Sequence, residues 1–419
     1  MSSFMLLGSA MLLISITLRG YLEVSIAMLT RARVSREIFG EIEGDDIRIV
    51  YRIENRSMIP ILFLELQIDH SKYIKRKSIG RALAVVLPRD TLIFEAVFEG
   101  RIGRHRIGPL KAVLRDPLGL YRSSEIVLDK AFYLEIYPRI HRTTLRRIYS
   151  YARNIGYIRA RQSGEGVEMR SVREYRPGDD IRRIVWKKYA RFGRLIVKEL
   201  ERESSLKVIY ILLCSPEMFK GVYRATPYEH TARVIGTLSR YLAYRSDHQA
   251  IILALPYMVY SSGGFRKGFK SYIDIAKIIS SVDFEEVLNE EAGSGYKTSL
   301  DIITRRIELQ ISKIAGRERS LILLFTDPLT AERAELTRLL DTLRAGGHKL
   351  LILMPIRSLY DIKALKSEAT LIYRIKIASE LEREKNIMKI MRSKGLNPIA
   401  ITPDQMIYHI IEKIELYRY

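Results

Sequence analysis

Leu206–Leu213 reads LKVIYILL. An apolar run this short and this rich in aliphatic side chains is the mark of a strand covered on both faces, as in a parallel sheet. Toward the carboxyl end, helical and strand periods alternate. Thr231–Tyr244 places Val234, Leu238 and Leu242 on one helical face, and Ala250–Leu255 is a strand. Helices are predicted at Ile302–Ile314 and Ala331–Leu343, with strands at Leu321–Phe325 and Lys349–Met354. A long helix, Tyr373–Lys394, ends at Gly395, and strand Pro398–Ile401 and helix Asp404–Leu416 follow. Strands alternating with helices of this length predict an α/β domain over 205–419, a parallel sheet with helices on both faces.

Toward the amino end the period changes to two. Ile47, Tyr51 and Ile53 alternate with Arg48, Arg52 and Glu54, and Asn55-Arg56-Ser57 is a turn signal. Ile61–Ile68, Ala82–Leu87, Leu92–Phe98, Pro109–Leu114 and Phe132–Tyr137 are further short strands. This spacing predicts an antiparallel, β-sandwich-like domain over 31–138. Residues 1–18 carry no charge, and Phe4–Leu29 is long enough, at about 39 Å as a helix, to cross a hydrocarbon core of about 30 Å. No basic residue precedes the run and no small-residue cleavage site closes it, which sets it apart from a signal peptide. Residues 1–30 are therefore read as a membrane anchor, either one helix or a hairpin bent at Arg19-Gly20; the competing reading is a buried amphipathic helix. Arg31, Arg33 and Arg36 follow directly and place the bulk of the chain in the cytoplasm, at the cell membrane.

The 419 residues hold 70 Lys+Arg against 48 Asp+Glu, a net charge of +22, which favours anionic partners. Asn and Gln are scarce and Ile, Arg and Glu plentiful, a thermophile-like bias. Much of the charge sits in a basic linker, 139–204: over Arg139–Glu203 there are 18 basic and 8 acidic residues. One cysteine, Cys214, excludes an internal disulfide framework. The seven histidines, His70, His105, His141, His230, His248, His348 and His409, are scattered, and no phosphate-binding Gly-x-x-x-x-Gly-Lys motif occurs. No catalytic set emerges, so the expected protein is not an enzyme and carries no cofactor.

Within the linker, residues 164–203 carry Arg173, Glu174, Tyr175, Pro177, Gly178, Asp179, Asp180, Arg182, Trp186, Ala190, Arg191, Lys198 and Glu199 in an ordered pattern. It resembles the signature of the domain-of-unknown-function 58 family, with Val185 standing where many members have a polar residue. The order of segments is similar too: an N-terminal apolar stretch, a β domain closing with Arg101–Pro109 and Asp116–Leu120, the signature, then the α/β domain. The resemblance implies a von Willebrand factor A-like α/β domain and a MoxR-type AAA+ ATPase as partner. Locally, Pro177-Gly178 signals a turn, Asp179 and Asp180 stand where a helix N-cap belongs, and Ile181–Arg191 is predicted as a short amphipathic helix. Its basic face, Arg182, Arg183, Lys187 and Arg191, is either a platform for an acidic partner or one side of an internal charge network.

A von Willebrand A domain usually binds a divalent ion through Asp-x-Ser-x-Ser after its first strand, with a Thr and an Asp from later loops. The first three positions fall here on Cys214, Pro216 and Met218, which offer no hard oxygen. Thr298 and Asp327 match the later ones, yet Thr298-x-x-Asp301 also reads as a capping box and Asp327-Pro328 as an N-cap with Pro at N1. No metal is expected. The expected function is a membrane-anchored adaptor in contact with membrane lipid. Its partner would meet the carboxyl edge of the sheet at Cys214, Ser215, Pro216, Thr298 and Asp327. The alternative is a nucleic-acid-binding protein, in which Tyr149, Tyr151, Tyr157, Tyr175, Trp186 and Tyr189 interleave with the arginines of 139–203.

Overall fold

A computed structural model describes residues 2–140, 144–151, 169–177, 179–181, 184–186, 189–190, 193–200, 205–290, 296–316, 318–364, 371–401 and 406–418. The chain divides into two compact units, Met1–Arg139 with Ile279–Ala292, and Ile140–Ile278 with Gly293–Tyr419. Among the described residues the architecture combines helices with antiparallel sheets and one mixed sheet, and it includes an N-terminal apolar helix.

The first unit opens with α1 (Ser2–Arg31), one continuous helix without a bend at Arg19-Gly20. It is long and apolar enough to cross a membrane. Its first half is exposed, whereas Leu22, Ser25 and Leu29 are buried. The Tyr21 hydroxyl donates to the Pro60 carbonyl at 2.7 Å and accepts from the Leu62 N–H at 3.2 Å. Nine strands follow: β1 (Arg33–Phe39), β2 (Asp46–Glu54), β3 (Ile61–His70), β4 (Lys75–Arg76), β5 (Arg81–Val86), β6 (Thr91–Glu99), β7 (Gly103–Leu114), β8 (Ile126–Asp129) and β9 (Phe132–Ile136). They form two antiparallel sheets, β1-β2-β6-β4 and β5-β3-β7-β8, with β9 also on β7.

One core lies between these sheets. Ile47, Ile49, Tyr51 and Ile53 of β2 meet Leu64, Leu66 and Ile68 of β3 and Phe94, Ala96 and Phe98 of β6. The alternation follows from strand geometry, successive side chains pointing to opposite faces. In β3 it breaks between Ile61 and Leu64, both buried, because a bulge shifts the register there and Phe63 has φ +53°.

The segment Ile279–Ala292, which the sequence reading grouped with 205–419, packs here. Its helix Phe284–Glu290 buries Phe284 against Tyr73 and His105, with the Arg101 guanidinium 4.2 Å from the ring centre. His105 is buried, and its Nε2 lies 2.9 Å from the Arg101 carbonyl. Burial pushes its pKa down to about 4. The unfolded chain takes up this proton near pH 6.5 and the folded unit only near 4, so stability is full above 6.5. It should fall by roughly 1.4 kcal/mol per pH unit between those values. Urea titrations at stepped pH test this; His105→Phe should flatten the slope, and an unchanged slope would show that His105 is not its source.

The second unit holds a hairpin of β10 (Met169–Glu174) and β11 (Ile196–Leu200), and a seven-stranded mixed sheet. The sheet runs β14 (Val259–Ser261), β13 (His248–Ala254), β12 (Lys207–Leu213), β16 (Leu321–Thr326), β17 (Lys349–Pro355), β18 (Ile399–Ile401), with β15 (Arg266–Lys267) on β13. β13, β12, β16, β17 and β18 are mutually parallel; β14 and β15 are antiparallel. Val208–Leu213 are all buried, as their unbroken apolar run requires.

Helices of this unit are α2 (Pro227–Tyr244), α3 (Phe269–Ser280), α4 (Tyr296–Ala315), α5 (Pro328–Ala331), α6 (Ala334–Ala345), α7 (Arg357–Ala364), α8 (Leu371–Ser393) and α9 (Met406–Arg418). α2 begins four residues before the predicted Thr231. A capping box fixes its start: the Glu229 N–H donates to Thr226 Oγ1 at 3.3 Å, and Glu229 Oε2 accepts from the Thr226 N–H at 3.0 Å. α4 begins at Tyr296, so Thr298 lies inside its first turn and not at a cap.

Candidate functional site

The order of the parallel strands reverses between β12 and β16, and in open α/β sheets the crevice outside the carboxyl ends at such a point is the usual binding place. Register pairs Leu213 with Thr326, so the residues just beyond them come together. Cys214 and Ser215 follow β12, and Asp327 follows β16; all three are buried. Ser215 precedes a single 3-10 turn, Pro216–Phe219, whose Pro216 is buried as well. The Thr298 side chain lies outside the described residues. The sequence-predicted edge is thus assembled at Cys214, Ser215, Pro216 and Asp327.

Asp327 is the N-cap of α5: its Oδ1 accepts from the Thr330 N–H at 3.0 Å, with Pro328 at N1. The other oxygen, Oδ2, has no hydrogen-bond partner among the described residues, and neither do Ser215 Oγ and Thr326 Oγ1. Among the described residues, three buried side-chain oxygens at one strand-end junction thus have no hydrogen-bond partner. Burial, and then the Asp327 carboxylate, push the Cys214 thiol well above its usual range, so it is a protonated filler and not a nucleophile.

A cleft of about 230 Å³ opens over this junction, lined among others by Glu217, Asp327, Pro355, Arg357 and Glu384. Sequence reading missed most of its polar wall. Arg357 reaches Glu217 at 2.7 Å and Asp361 at 3.5 Å, and Lys220 takes the other Glu217 oxygen at 2.7 Å. Ser358 Oγ donates to Glu384 at 2.6 Å. Burial raises the carboxyls of Asp361 and Glu384. The signal was available: Arg357 is two residues past the end of β17, on the carboxyl edge that already located Asp327.

The donor set does not fit a hard divalent ion. Such an ion takes about six oxygens, with carboxylates among them. Here Asp327 has already committed one oxygen to a helix cap, and Glu217 is neutralised by Arg357 and Lys220. Among the described residues no group of three or more His, Cys, Asp or Glu converges.

The signature forms a braced turn. Arg173 holds Asp179 with two parallel bonds, 2.7 and 2.6 Å, and Asp179 Oδ2 also accepts the Arg176 N–H at 2.8 Å. The Arg173 side chain first, and then the Arg176 N–H, hold the Asp179 carboxyl down at about 2. Asp179 therefore closes the turn behind it. Glu174 pairs with Arg194 at 3.1 Å in solvent, and the Tyr175 N–H bonds the Leu195 carbonyl at 2.8 Å.

The predicted helix Ile181–Arg191 is not continuous. Ile184 bridges Val197, and the Val185 N–H bonds the Ile196 carbonyl at 2.8 Å, because two adjacent β-branched residues find a strand to pair with. Ile181, Pro177, Asp180 and Ala190 are exposed, as are Trp186 and Tyr189, which meet edge to face. Gly178, Arg182, Arg183, Lys187 and Arg191 lie outside the described residues; Lys198 and Glu199 are on β11, with only their backbone described.

No curated protein matches this chain. Among solved structures it is similar to alpha-2-macroglobulin from Escherichia coli, spanning domain MG7 to the C-terminus, at 12% identity over 92% of this chain and 62% of that one, with a TM-score of 0.20. It is also similar to a beta-glucuronidase of Bacteroides uniformis, at 10% identity over 92% of this chain and 50% of that one, with a TM-score of 0.15. The chain thus spans less than two thirds of either, and at these scores neither likeness establishes a common fold. Residues 171–354, from the signature strand β10 into β17 and so across the strand-end junction, match the family model described as Protein of unknown function DUF58, and this match supports placing the chain in that family.

Proposed function

We propose that the protein is a membrane-anchored, non-enzymatic adaptor whose α/β unit engages a protein partner through the cleft at the β12–β16 junction. α1 holds the chain in the cell membrane, with its bulk in the cytoplasm. The strand order supports a von Willebrand A-like reading: numbered from β12 and leaving out the two-residue β15, the sheet runs 3-2-1-4-5-6, with β14 and β15 antiparallel at that edge. By resemblance to the domain-of-unknown-function 58 family, the partner is a MoxR-type AAA+ ATPase.

The observation that carries the proposal is Asp327, which lines the cleft and whose Oδ2 has no hydrogen-bond partner among the described residues. A partner's N–H or ammonium donor entering the cleft would meet the Asp327 side chain, which lines it. Catalysis is not favoured: burial pushes the Cys214 thiol well above its usual range, and among the described residues no histidine lines the cleft. The test is binding of the full chain in detergent to the purified MoxR-type ATPase. Asp327→Asn keeps the helix cap, since Asn caps as well as Asp, but removes the free charge. It should weaken binding about tenfold, or about 1.4 kcal/mol. EDTA should change nothing at fixed nucleotide state without Mg–ATP. Equal binding by variant and wild type would remove the cleft from the interface, and no binding by the wild type would remove the ATPase. A second reading, nucleic-acid binding through 139–203, draws on the exposed Trp186 and Tyr189; steep loss of captured RNA or DNA with salt would favour it.

A further inference from the structure

The Ser15 and Tyr121 hydroxyls share a hydrogen bond. Ser15 is not at the end of the apolar half of α1 but inside it, with Met11–Ile14 on one side and Ile16 on the other, all exposed. The loop after β7 therefore reaches along α1 to a level where the helix itself is bare and apolar. That loop shows the same character. Leu118 and Leu120 are 64% and 63% exposed, flanking Gly119 at φ +71°. They are held outward by design of the backbone: buried Asp116 accepts the Leu118 N–H at 2.9 Å and the Tyr121 N–H at 2.5 Å. Two exposed leucines on a braced tip would be a liability in water.

A second turn stands next to the helix lower down. Tyr21 binds the Pro60 carbonyl, six residues or about 9 Å along the axis from Ser15. Beside Pro60, Met58 is 69% exposed. Its turn is fixed by the buried Asn55 side chain, which donates to the carbonyls of Ile59 at 2.8 Å and Leu87 at 3.1 Å. Arg19 and Arg122 are exposed around these turns, as is Arg56, which pairs with Glu54 at 3.0 Å.

We infer that the β unit docks onto the bilayer beside α1, with Leu118, Leu120 and Tyr121 inserted at the interface, Met58 near the headgroups, and Arg19 and Arg122 on anionic lipid. This rests on the reading of α1 as the membrane anchor. Continuity decides the occupant: whatever solvates α1 at Ser15 also meets the loop hydrogen-bonded to it, and an apolar helix face there calls for lipid. Tyrosine, with an apolar ring and a polar tip, suits that boundary, and arginine beside it adds attraction to anionic headgroups. The arrangement ties the soluble unit to the membrane plane, so that it does not swing freely from the anchor.

The test uses the full chain in vesicles of three parts phosphatidylcholine to one part phosphatidylglycerol. An environment-sensitive fluorophore is attached at Leu12→Cys, Leu120→Cys or Tyr133→Cys; native Cys214 is buried and stays unlabelled. Tyr133 is exposed on β9 opposite Arg106, eight residues back along β7 from Leu114. Lipids spin-labelled in the acyl chain are the quencher. The expected result is a loss of emission at Leu120 comparable to that at Leu12, a blue shift at both, and neither at Tyr133. If Leu12 is quenched and Leu120 behaves like Tyr133, the docking is wrong and the anchor stands. If none is quenched, the anchor fails and the docking with it. Equal behaviour at Leu120 in vesicles of phosphatidylcholine alone would overturn the part assigned to the arginines.

Discussion

Arg418→Met is expected to destabilise the α/β unit by about 3–5 kcal/mol, because it strands a buried carboxylate. Arg418 is 6% exposed and Asp247 fully buried. Two parallel bonds join them, at 2.9 and 2.5 Å. Asp247 Oδ1 also accepts the Leu206 N–H at the mouth of β12, 2.9 Å away. Arg418 bonds buried Glu415 at 3.2 Å, and Glu415 accepts the Tyr241 hydroxyl of α2 at 2.9 Å. The network thus links α9, α2 and the entry to the central strand. Methionine preserves much of the volume, so the loss is electrostatic and not a cavity effect. Chemical denaturation of Arg418→Met, Asp247→Asn and the double variant separates the two. The double variant should recover the part of the loss that stranded Asp247 causes, leaving buried Glu415 with Arg245 at 3.9 Å as its cation. Additive losses would show that packing, not charge, carries the contact.

Much of this unit is legible in the sequence, and the reasons are specific. β12 announces itself because burial on both faces keeps Val208–Leu213 apolar but for the Tyr210 hydroxyl, which donates to Gln249. α4 is readable from Leu300, Ile303, Ile307, Ile311 and Ile314, spaced three and four apart and all buried. The start of α2 was equally present in Thr226-Pro227-Tyr228-Glu229, a capping box that hydrophobic spacing alone overlooks. The signature region is different. Ile181, Ile184 and Val185 have helical spacing, but a pairing partner in β11 some twelve residues on captures Ile184, and local periodicity carries no record of that competition.

The candidate site divides the same way. A strand end locates Cys214, Ser215 and Asp327, because topology alone puts them side by side. The ion pair of Glu217 with Arg357 joins residues 140 apart and has no local pattern.

The least legible feature of the fold carries the second large effect. Phe284→Ala should cost the β unit about 3–5 kcal/mol, the range for deleting a buried aromatic ring. By sequence Phe284 lies between α3 and α4, deep in the α/β half, yet its contacts belong to the other unit. Its ring is fully buried, with Tyr73 and His105 at 6.3 and 6.2 Å between centroids and the Arg101 guanidinium over its face. Removing it leaves a cavity and uncovers a guanidinium that is itself only 5% exposed. The backbone is fitted to this ring as closely as the side chains are. Gly103 has φ +122°, and a Cβ there would lie 2.9 Å from the Val282 carbonyl and 3.1 Å from the ring. The Arg104 N–H bonds the same carbonyl at 2.8 Å, and Ser71 Oγ donates to Glu285 at 3.1 Å. Amide hydrogen exchange distinguishes this from a general loss of stability. In Phe284→Ala, protection should fall in β7 and β3, while amides of β12 and β16 keep theirs. Gly103→Ala should reproduce the pattern by overcrowding, since neither the carbonyl nor the ring can yield without breaking the Arg104 bond. Loss confined to β12 and β16 would return residues 279–292 to the half of the chain in which the sequence places them.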